Sequence, residues 1–209
     1  MDQQLSLEES ALRKFFLFLI KPILSCVAIL QIIGVEKIPR FGKVIIASNH
    51  LSAFDGLILQ LIIPRPLFFM GKVEVFKNPF SAWFMRQLGV FPVRRGVFDR
   101  DAIINACKVL DSGLALVMFP EGTRTYGKGL VPAKNGVSHI AVKANSPILP
   151  VTIIGAEMIL KHFFRRVLVR VIIHNPINPS SGQTPTSLTE KVMREIASQY
   201  PSSLRGIYN

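Results

Sequence analysis

Asn49-His50-Leu51-Ser52-Ala53-Phe54-Asp55 carries the sharpest chemical signal in the sequence. A histidine and a carboxylate five positions apart can act as an acid/base pair only under one backbone condition. On a continuous helix, five steps of about 100° set His50 and Asp55 roughly 140° apart, and the two side chains cannot meet. If His50 instead sits in a strand-to-helix turn and Ser52 caps the helix, Asp55 falls in the first helical turn and reaches back to the imidazole. The carboxylate then fixes the ring tautomer and stabilises the imidazolium formed when His50 removes a hydroxyl proton. The same residues also suit a plain helix start, with Asp55 at the positive end of the dipole and His50 incidental. Spacing alone leaves both readings open.

A second candidate is Phe119-Pro120-Glu121-Gly122-Thr123-Arg124, directly after the continuous apolar run Leu114 to Phe119. Gly122 permits a close backbone approach, and Arg124 offers a planar fork for a phosphate. Glu121 cannot usefully face a phosphate; it better suits holding Arg124 or a backbone N–H in place. An ordinary surface loop with a Glu–Arg pair is the alternative. Arg94 and Arg95 end a strand-like run and point to opposite faces, so at most one enters a site. Lys72, after Phe68-Phe69-Met70, suits a phosphate and a solvated strand end equally well. His139, His162 and His174 read as structural or exposed. Trp83 with Phe80 and Phe84 reads as core or membrane contact. The histidines show no metal-ligand spacing, and neither CxxC nor HExxH occurs, so no metal is expected.

The elements that must position these residues alternate. Val44–Ala47, Pro66–Met70, Val90–Val93, Leu114–Phe119, Ile148–Ile154 and Val167–Ile173 read as strands. Asp55–Ile62, Pro79–Leu88, Asp99–Leu110, Val137–Ala144 and Ser187–Tyr200 read as helices, and Asn175–Ser187 as a loop. Short links between alternating β and α segments predict an α/β domain with a largely parallel sheet flanked by helices.

The first 36 residues read differently. Ser6 and Glu9 have capping-box spacing, and a helix is expected from there through Ile20. Lys21-Pro22 is expected to interrupt it. A second apolar run, Ile23–Ile33, ends at Gly34. Neither half reaches the roughly 20 apolar residues of a membrane span. The preferred reading is a hairpin of two short helices dipping into one leaflet, with Arg13, Lys14 and Lys21 near lipid headgroups. A single kinked span and a buried core hairpin are the alternatives. Ile23-Leu24-Ser25-Cys26 resembles a lipoprotein cleavage site, but the acidic Asp2, Glu8 and Glu9 and the mid-run Lys21-Pro22 do not suit a signal peptide. The expected organisation is therefore membrane-associated helices over 1–36 and one catalytic domain over 37–209.

Composition narrows the partners. The 209 residues carry a net charge of +12, with 49% hydrophobic and only 18% charged residues. The usual charged share is about 25%, which argues against disorder and against a coiled coil. A chain both cationic and oily suits an anionic phospholipid membrane better than nucleic acid, and no nucleic-acid-binding motif is present. Lys161, Arg165, Arg166 and Arg170 add a basic cluster. Two distant cysteines, Cys26 and Cys107, make no disulfide framework.

Four blocks occur together: Asn49-His50-x-Ser52-x-x-Asp55, Gly89-Val90-Phe91-Pro92-Val93-Arg94-Arg95-Gly96, Phe119-Pro120-Glu121-Gly122-Thr123-Arg124-Thr125 and Leu149-Pro150-Val151-Thr152. In order and spacing they resemble the PlsC-like glycerolipid acyltransferases, the 1-acylglycerol-3-phosphate acyltransferase family, over roughly residues 36 to 157. Val137 stands where similar proteins often carry Ala after a basic residue and glycine. The resemblance implies acyl transfer from a thioester, acyl-CoA or acyl-acyl carrier protein, to the sn-2 hydroxyl of lysophosphatidic acid, giving phosphatidic acid, with no resident cofactor. It implies His50 and Asp55 as the catalytic pair and Arg94, Glu121, Gly122 and Arg124 around the substrate phosphate, with Lys72, outside the matching blocks, a further candidate there. It also implies a monotopic enzyme on the cytoplasmic face of the inner membrane, where the soluble donor pool lies. Another lysolipid acceptor, or a non-catalytic basic membrane-binding role, is the alternative function. No GxSxG elbow is present, and neither cysteine lies in a block, so no covalent acyl-enzyme is required.

Overall fold

The computed structural model describes residues 11–94, 96–97, 99–162 and 165–209. The expected cap residues Ser6 and Glu9, and Arg95, lie outside them. Seven strands form one sheet: β1 (Ala28–Ile33), β2 (Val44–Ser48), β3 (Leu67–Lys72), β4 (Val90–Val93), β5 (Ala115–Met118), β6 (Ile148–Ile154) and β7 (Val167–Ile173). Their spatial order is β1-β7-β6-β2-β5-β3-β4. All neighbouring pairs are parallel except β6 with β7. The fold is thus the expected α/β class, with a mostly parallel sheet.

Helices cover both faces, which explains why the strands read as unbroken apolar runs. Every residue of β2 is buried. Ile45 and Ala47 pack into the core beneath α4 (Arg100–Asp111), α5 (Gly136–Ala144) and α7 (Pro185–Ala197), through residues such as Leu110, Ile140 and Val192. Val44 and Ile46 face the opposite core, shared with α1 (Ala11–Val27), α2 (Phe54–Ile62) and the short α6 (Met158–Lys161), through Leu24, Ile58 and Ile159. This alternation is the two-residue period of a strand read on both sides. The remaining helix, α3 (Pro79–Gln87), is capped by Asn78, whose side chain accepts hydrogen bonds from the N–H groups of Phe80 and Ser81.

The N-terminal expectation needs correction at three points. Helix α1 runs through Pro22 instead of stopping there. Proline removes only the one bond that an N–H at position 22 would give the Phe18 carbonyl, and the helix continues on its other bonds. Downstream, the Ser25 hydroxyl donates to the Lys21 carbonyl at 2.8 Å. Second, the apolar run to Ile33 is not a second helix, so the expected hairpin of two helices does not form among the described residues. Its last six residues form β1, parallel to β7 from Ala28↔Val167 to Ile33↔Ile172. The β-branched Ile29, Ile32 and Ile33 favour extended backbone, and the outer edge of β7 supplies the hydrogen-bonding partners. The sheet therefore recruits residues from the N-terminal side of position 36. Third, Arg13 is buried, with its guanidinium donating to Gln60 Oε1 at 2.6 Å, and does not reach toward headgroups. Lys14 and Lys21 are exposed. No helix among the described residues is long and apolar enough to cross a membrane.

Candidate active site

The parallel strands β2, β5, β3 and β4 present their C-terminal ends at one edge of the sheet, where open α/β sheets place their sites. His50 follows β2, the 119–124 loop follows β5, Lys72 ends β3 and Arg94 follows β4. Four segments distant in sequence are thus gathered by strand order alone.

His50 occupies the turn between β2 and α2, and Asp55 is the second residue of that helix. Asp55 Oδ2 lies 2.8 Å from His50 Nδ1 and accepts the N–H groups of Leu51 at 2.7 Å and Ser52 at 2.8 Å. The Ser52 hydroxyl donates to Asp55 Oδ1 at 3.3 Å and accepts the Phe54 N–H at 3.1 Å. Ser52 therefore performs the expected capping one residue before the formal cap position, Ala53. A carboxylate oxygen can only accept, so Nδ1 carries the proton and Nε2 presents its lone pair. Nε2 has no hydrogen-bond partner among the described residues, and the His50 side chain is 15% exposed. The imidazole stacks on Phe119, with centroids 4.0 Å apart and planes at 15°.

Glu121 lies beneath this pair. Its Oε2 accepts the His50 backbone N–H at 2.6 Å, and Oε1 accepts the Val131 N–H at 3.4 Å. The His50 carbonyl accepts the Thr125 N–H at 2.8 Å. The 121–125 loop thus grips the backbone of His50 from both sides of its Cα. Of the two partners expected for Glu121, the backbone N–H is the one it contacts. Burial raises its carboxyl from the ordinary 4.5 to about 7, against the lowering effect of the His50 N–H. Folding therefore favours the protonated acid. That stabilisation is complete below about pH 4.5 and is lost as pH rises through about 7. Glu121→Gln is expected to flatten the decline of the thermal midpoint across this window. A decline as steep as the wild type's would assign the pH dependence to other groups.

Beside the pair, a cavity of about 620 Å³ opens between β4, β5, α4 and α5. Its wall is mainly apolar, with Phe69, Met118, Phe119, Val137 and Ile140, and Arg94 and Lys134 also line it. Gly122, at φ +67°, borders the same space, and a side chain there would press on the Lys134 methylenes at 3.3–3.4 Å. Arg94 is oriented from behind by Asp99. That carboxylate accepts the Arg94 N–H at 2.7 Å, contacts its Nε at 3.4 Å and caps α4 through the Ala102 N–H at 3.2 Å. The Arg94 N–H bond is the chief reason the Asp99 carboxyl is held below its usual range. Arg94 itself is 62% exposed, so its head is available to an anion.

Of the other expected residues, Arg124 is exposed, with its guanidinium 5.6 Å from the Tyr126 ring centroid, and Lys72 is exposed at the end of β3. Neither lines the cavity. His174 is buried, bonded to Thr152 Oγ1 and Glu195, while His139 lies at the cavity wall. Sequence reasoning missed Phe119, Asp99 and Thr125 as supports of the site. Only Asp99 carried a local signal, as a helix cap five residues after Arg94.

An open α/β sheet with a histidine–aspartate pair at its C-terminal edge, beside an apolar cavity with a cationic border, defines a class of site able to deprotonate a hydroxyl of an amphiphile. The chain belongs to the Acyltransferase family, whose model matches residues 29–154. It is 30% identical over 166 residues to the 1-acyl-sn-glycerol-3-phosphate acyltransferase of Bacillus subtilis, covering 79% of this chain and 82% of that one. It is 32% identical over 156 residues to a chloroplastic 1-acyl-sn-glycerol-3-phosphate acyltransferase of Brassica napus, covering 71% of this chain but 45% of that longer protein. The crystal structure of the 1-acyl-sn-glycerophosphate (LPA) acyltransferase PlsC from Thermotoga maritima aligns with a TM-score of 0.69 at 28% identity, covering 86% of this chain and 76% of that one.

Proposed function

We propose that the protein transfers a fatty acyl group from an acyl thioester to the sn-2 hydroxyl of 1-acylglycerol-3-phosphate, giving phosphatidic acid. The observation that carries this reading is the His50–Asp55 pair, whose lone-pair nitrogen Nε2 has no hydrogen-bond partner among the described residues and whose ring stacks on a residue of the apolar cavity wall. Nε2 takes the hydroxyl proton as the oxygen attacks the thioester carbonyl. The tetrahedral intermediate collapses with loss of thiolate, and the His50 imidazolium returns the proton to sulfur. An ester C–O bond forms as the C–S bond breaks. Asp55 remains a carboxylate and stabilises the imidazolium between these steps. The cavity holds an acyl chain. Arg94, Arg124 and Lys72 attract the phosphate, with Lys134 as a further cation and Gly122 allowing close backbone approach. Acyl-CoA and acyl-acyl carrier protein both meet the thioester requirement.

The same proposal places the protein on an anionic membrane surface. Phe15, Phe18 and Ile23 of α1 are 54%, 74% and 65% exposed. Phe16 packs edge-on against Phe84 and Trp83, which joins this face to the exposed Phe80 and Trp83 of α3. Aromatic and apolar side chains flanked by Lys14 and Lys21 suit the headgroup boundary.

The test supplies purified protein with phosphatidylglycerol vesicles, an acyl thioester and lysophosphatidic acid, following free thiol and phosphatidic acid. Monoacylglycerol, which lacks the phosphate, is expected to react at least about 10²-fold more slowly in kcat/KM, because the charge-assisted contacts to the phosphate are lost. Equal use of both acceptors would remove the phosphate-pocket reading. No thiol release with any lysolipid would remove acyl transfer.

A further inference from the structure

The segment 198–209 lies outside the stretch matched by the family model, yet it reaches the site from two directions. Asn49, immediately before His50, is fully buried. Its side chain copies a backbone pairing with β6: Oδ1 accepts the Ile153 N–H at 2.8 Å and Nδ2 donates to the Ile153 carbonyl at 2.8 Å. The second Nδ2 proton goes to the Tyr200 hydroxyl at 2.6 Å, and that hydroxyl donates onward to the Ile153 carbonyl at 3.0 Å. The roles balance: Asn49 Nδ2 gives both of its protons, the Tyr200 hydroxyl accepts one and donates one, and the Ile153 carbonyl accepts two. Burial, with Glu121, Glu157 and Asp55 nearby, pushes the Tyr200 hydroxyl well above its ordinary range, so it stays protonated and can donate.

The second route runs through the loop 129–134. The Leu204 carbonyl accepts the Leu130 N–H at 2.9 Å, and the Tyr208 hydroxyl accepts the Ala133 N–H at 2.8 Å. Between those two anchors, Val131 donates to Glu121, the residue that holds the His50 N–H. Lys134, next to Ala133, donates its N–H to the Pro120 carbonyl at 2.8 Å and lies against Gly122 at the cavity wall. Arg205 ties the segment together, donating to the Tyr200 carbonyl at 2.9 Å and the Ser198 carbonyl at 3.3 Å.

We infer that residues 198–209 form a clamp in which Tyr200 and Tyr208 are positioning residues. Tyr200 fixes the turn bearing His50 through Asn49, and Tyr208 fixes the 129–134 segment, which bears Lys134 and meets Glu121 and Pro120 through the N–H groups of Val131 and Lys134. The kinetic part of this inference rests on the acyl-transfer reading above. The division of labour separates the two tyrosines. Loosening the His50 turn disturbs the reacting geometry and lowers kcat. Loosening the 129–134 loop disturbs the cationic wall and raises KM for the phosphorylated acceptor.

The test uses Tyr200→Phe and Tyr208→Phe in the full chain, each removing one oxygen while keeping the ring. Tyr200→Phe is expected to lower kcat about tenfold or more with acceptor KM within about twofold, since small misplacements of reacting groups are costly. Tyr208→Phe is expected to raise acceptor KM several-fold with kcat near the wild type's. Amide hydrogen exchange, which needs no substrate, is expected to quicken at residues 49–52 in the first variant and 130–134 in the second, while α4 and β3 keep wild-type rates. A purely structural role would instead quicken exchange throughout and lower kcat in both variants alike. That outcome, or unchanged kinetics with unchanged local exchange, would overturn the clamp. Absence of turnover by the wild type would fell the proposed function, and the exchange pattern would still decide the clamp.

Discussion

His50→Ala is expected to lower kcat by about 10²- to 10⁴-fold, the usual contribution of a positioned general base. Acceptor KM is expected to change little, because the cationic groups assigned to the phosphate are Arg94, Arg124, Lys72 and Lys134. The variant should fold. The backbone contacts of residue 50, its N–H to Glu121 and its carbonyl to Thr125, do not depend on the imidazole. The exposed side of the ring leaves a space that water can enter. The loss should be read against a circular dichroism spectrum and a thermal melt. Retention of more than about a tenth of wild-type kcat would show that proton removal is not the role of His50, since even weak general-base catalysis exceeds that.

Asp55→Asn separates charge from geometry. Oδ2 receives three donors, His50 Nδ1 and the N–H groups of Leu51 and Ser52, whereas Oδ1 receives only the Ser52 hydroxyl. An asparagine can place its single carbonyl oxygen at the three-donor position and its amide nitrogen against Ser52 Oγ. The opposite orientation would aim an NH₂ group at two N–H donors and is excluded. The turn and the tautomer are therefore preserved, while the negative charge facing the imidazolium is removed. The expected loss in kcat is about 10²-fold or more, with little change in acceptor KM. A variant as active as the wild type would make Asp55 a turn-forming residue only. Asp55→Ala is a poorer probe, because it leaves two backbone N–H groups unpaired in a buried site.

Much of the domain is legible in the sequence. The strands expected over Val44–Ala47, Val90–Val93, Ile148–Ile154 and Val167–Ile173 differ from those observed by at most one residue, because strands that are largely buried, as β2 and β6 are on both faces, write themselves as short apolar runs between turns. The run Ile23–Ile33 was not legible in the same way. Unbroken apolar residues state that a segment avoids water, but not whether lipid, a helix layer or a sheet edge receives it. That choice belonged to β7, whose outer edge β1 completes.

The His50–Asp55 pair is the part of the site most local in sequence: spacing admits it, and once His50 lies in the strand-to-helix turn with Ser52 capping the helix, Asp55 reaches back to the imidazole. The chain also determines its own α/β class, through the alternation of short apolar runs with amphipathic stretches. Tertiary structure decided the rest. It set β5 beside β2, so that Glu121 and Thr125 hold the backbone of His50. It brought Arg94 and Lys134 to one cavity and carried Tyr200 to Asn49. The hydrogen-bonded pairs among these lie 71 to 151 positions apart, and Arg94 and Lys134, which share the cavity, are 40 apart. No local spacing encodes them, because apolar patterning specifies that a surface is buried while strand order and packing specify what it meets.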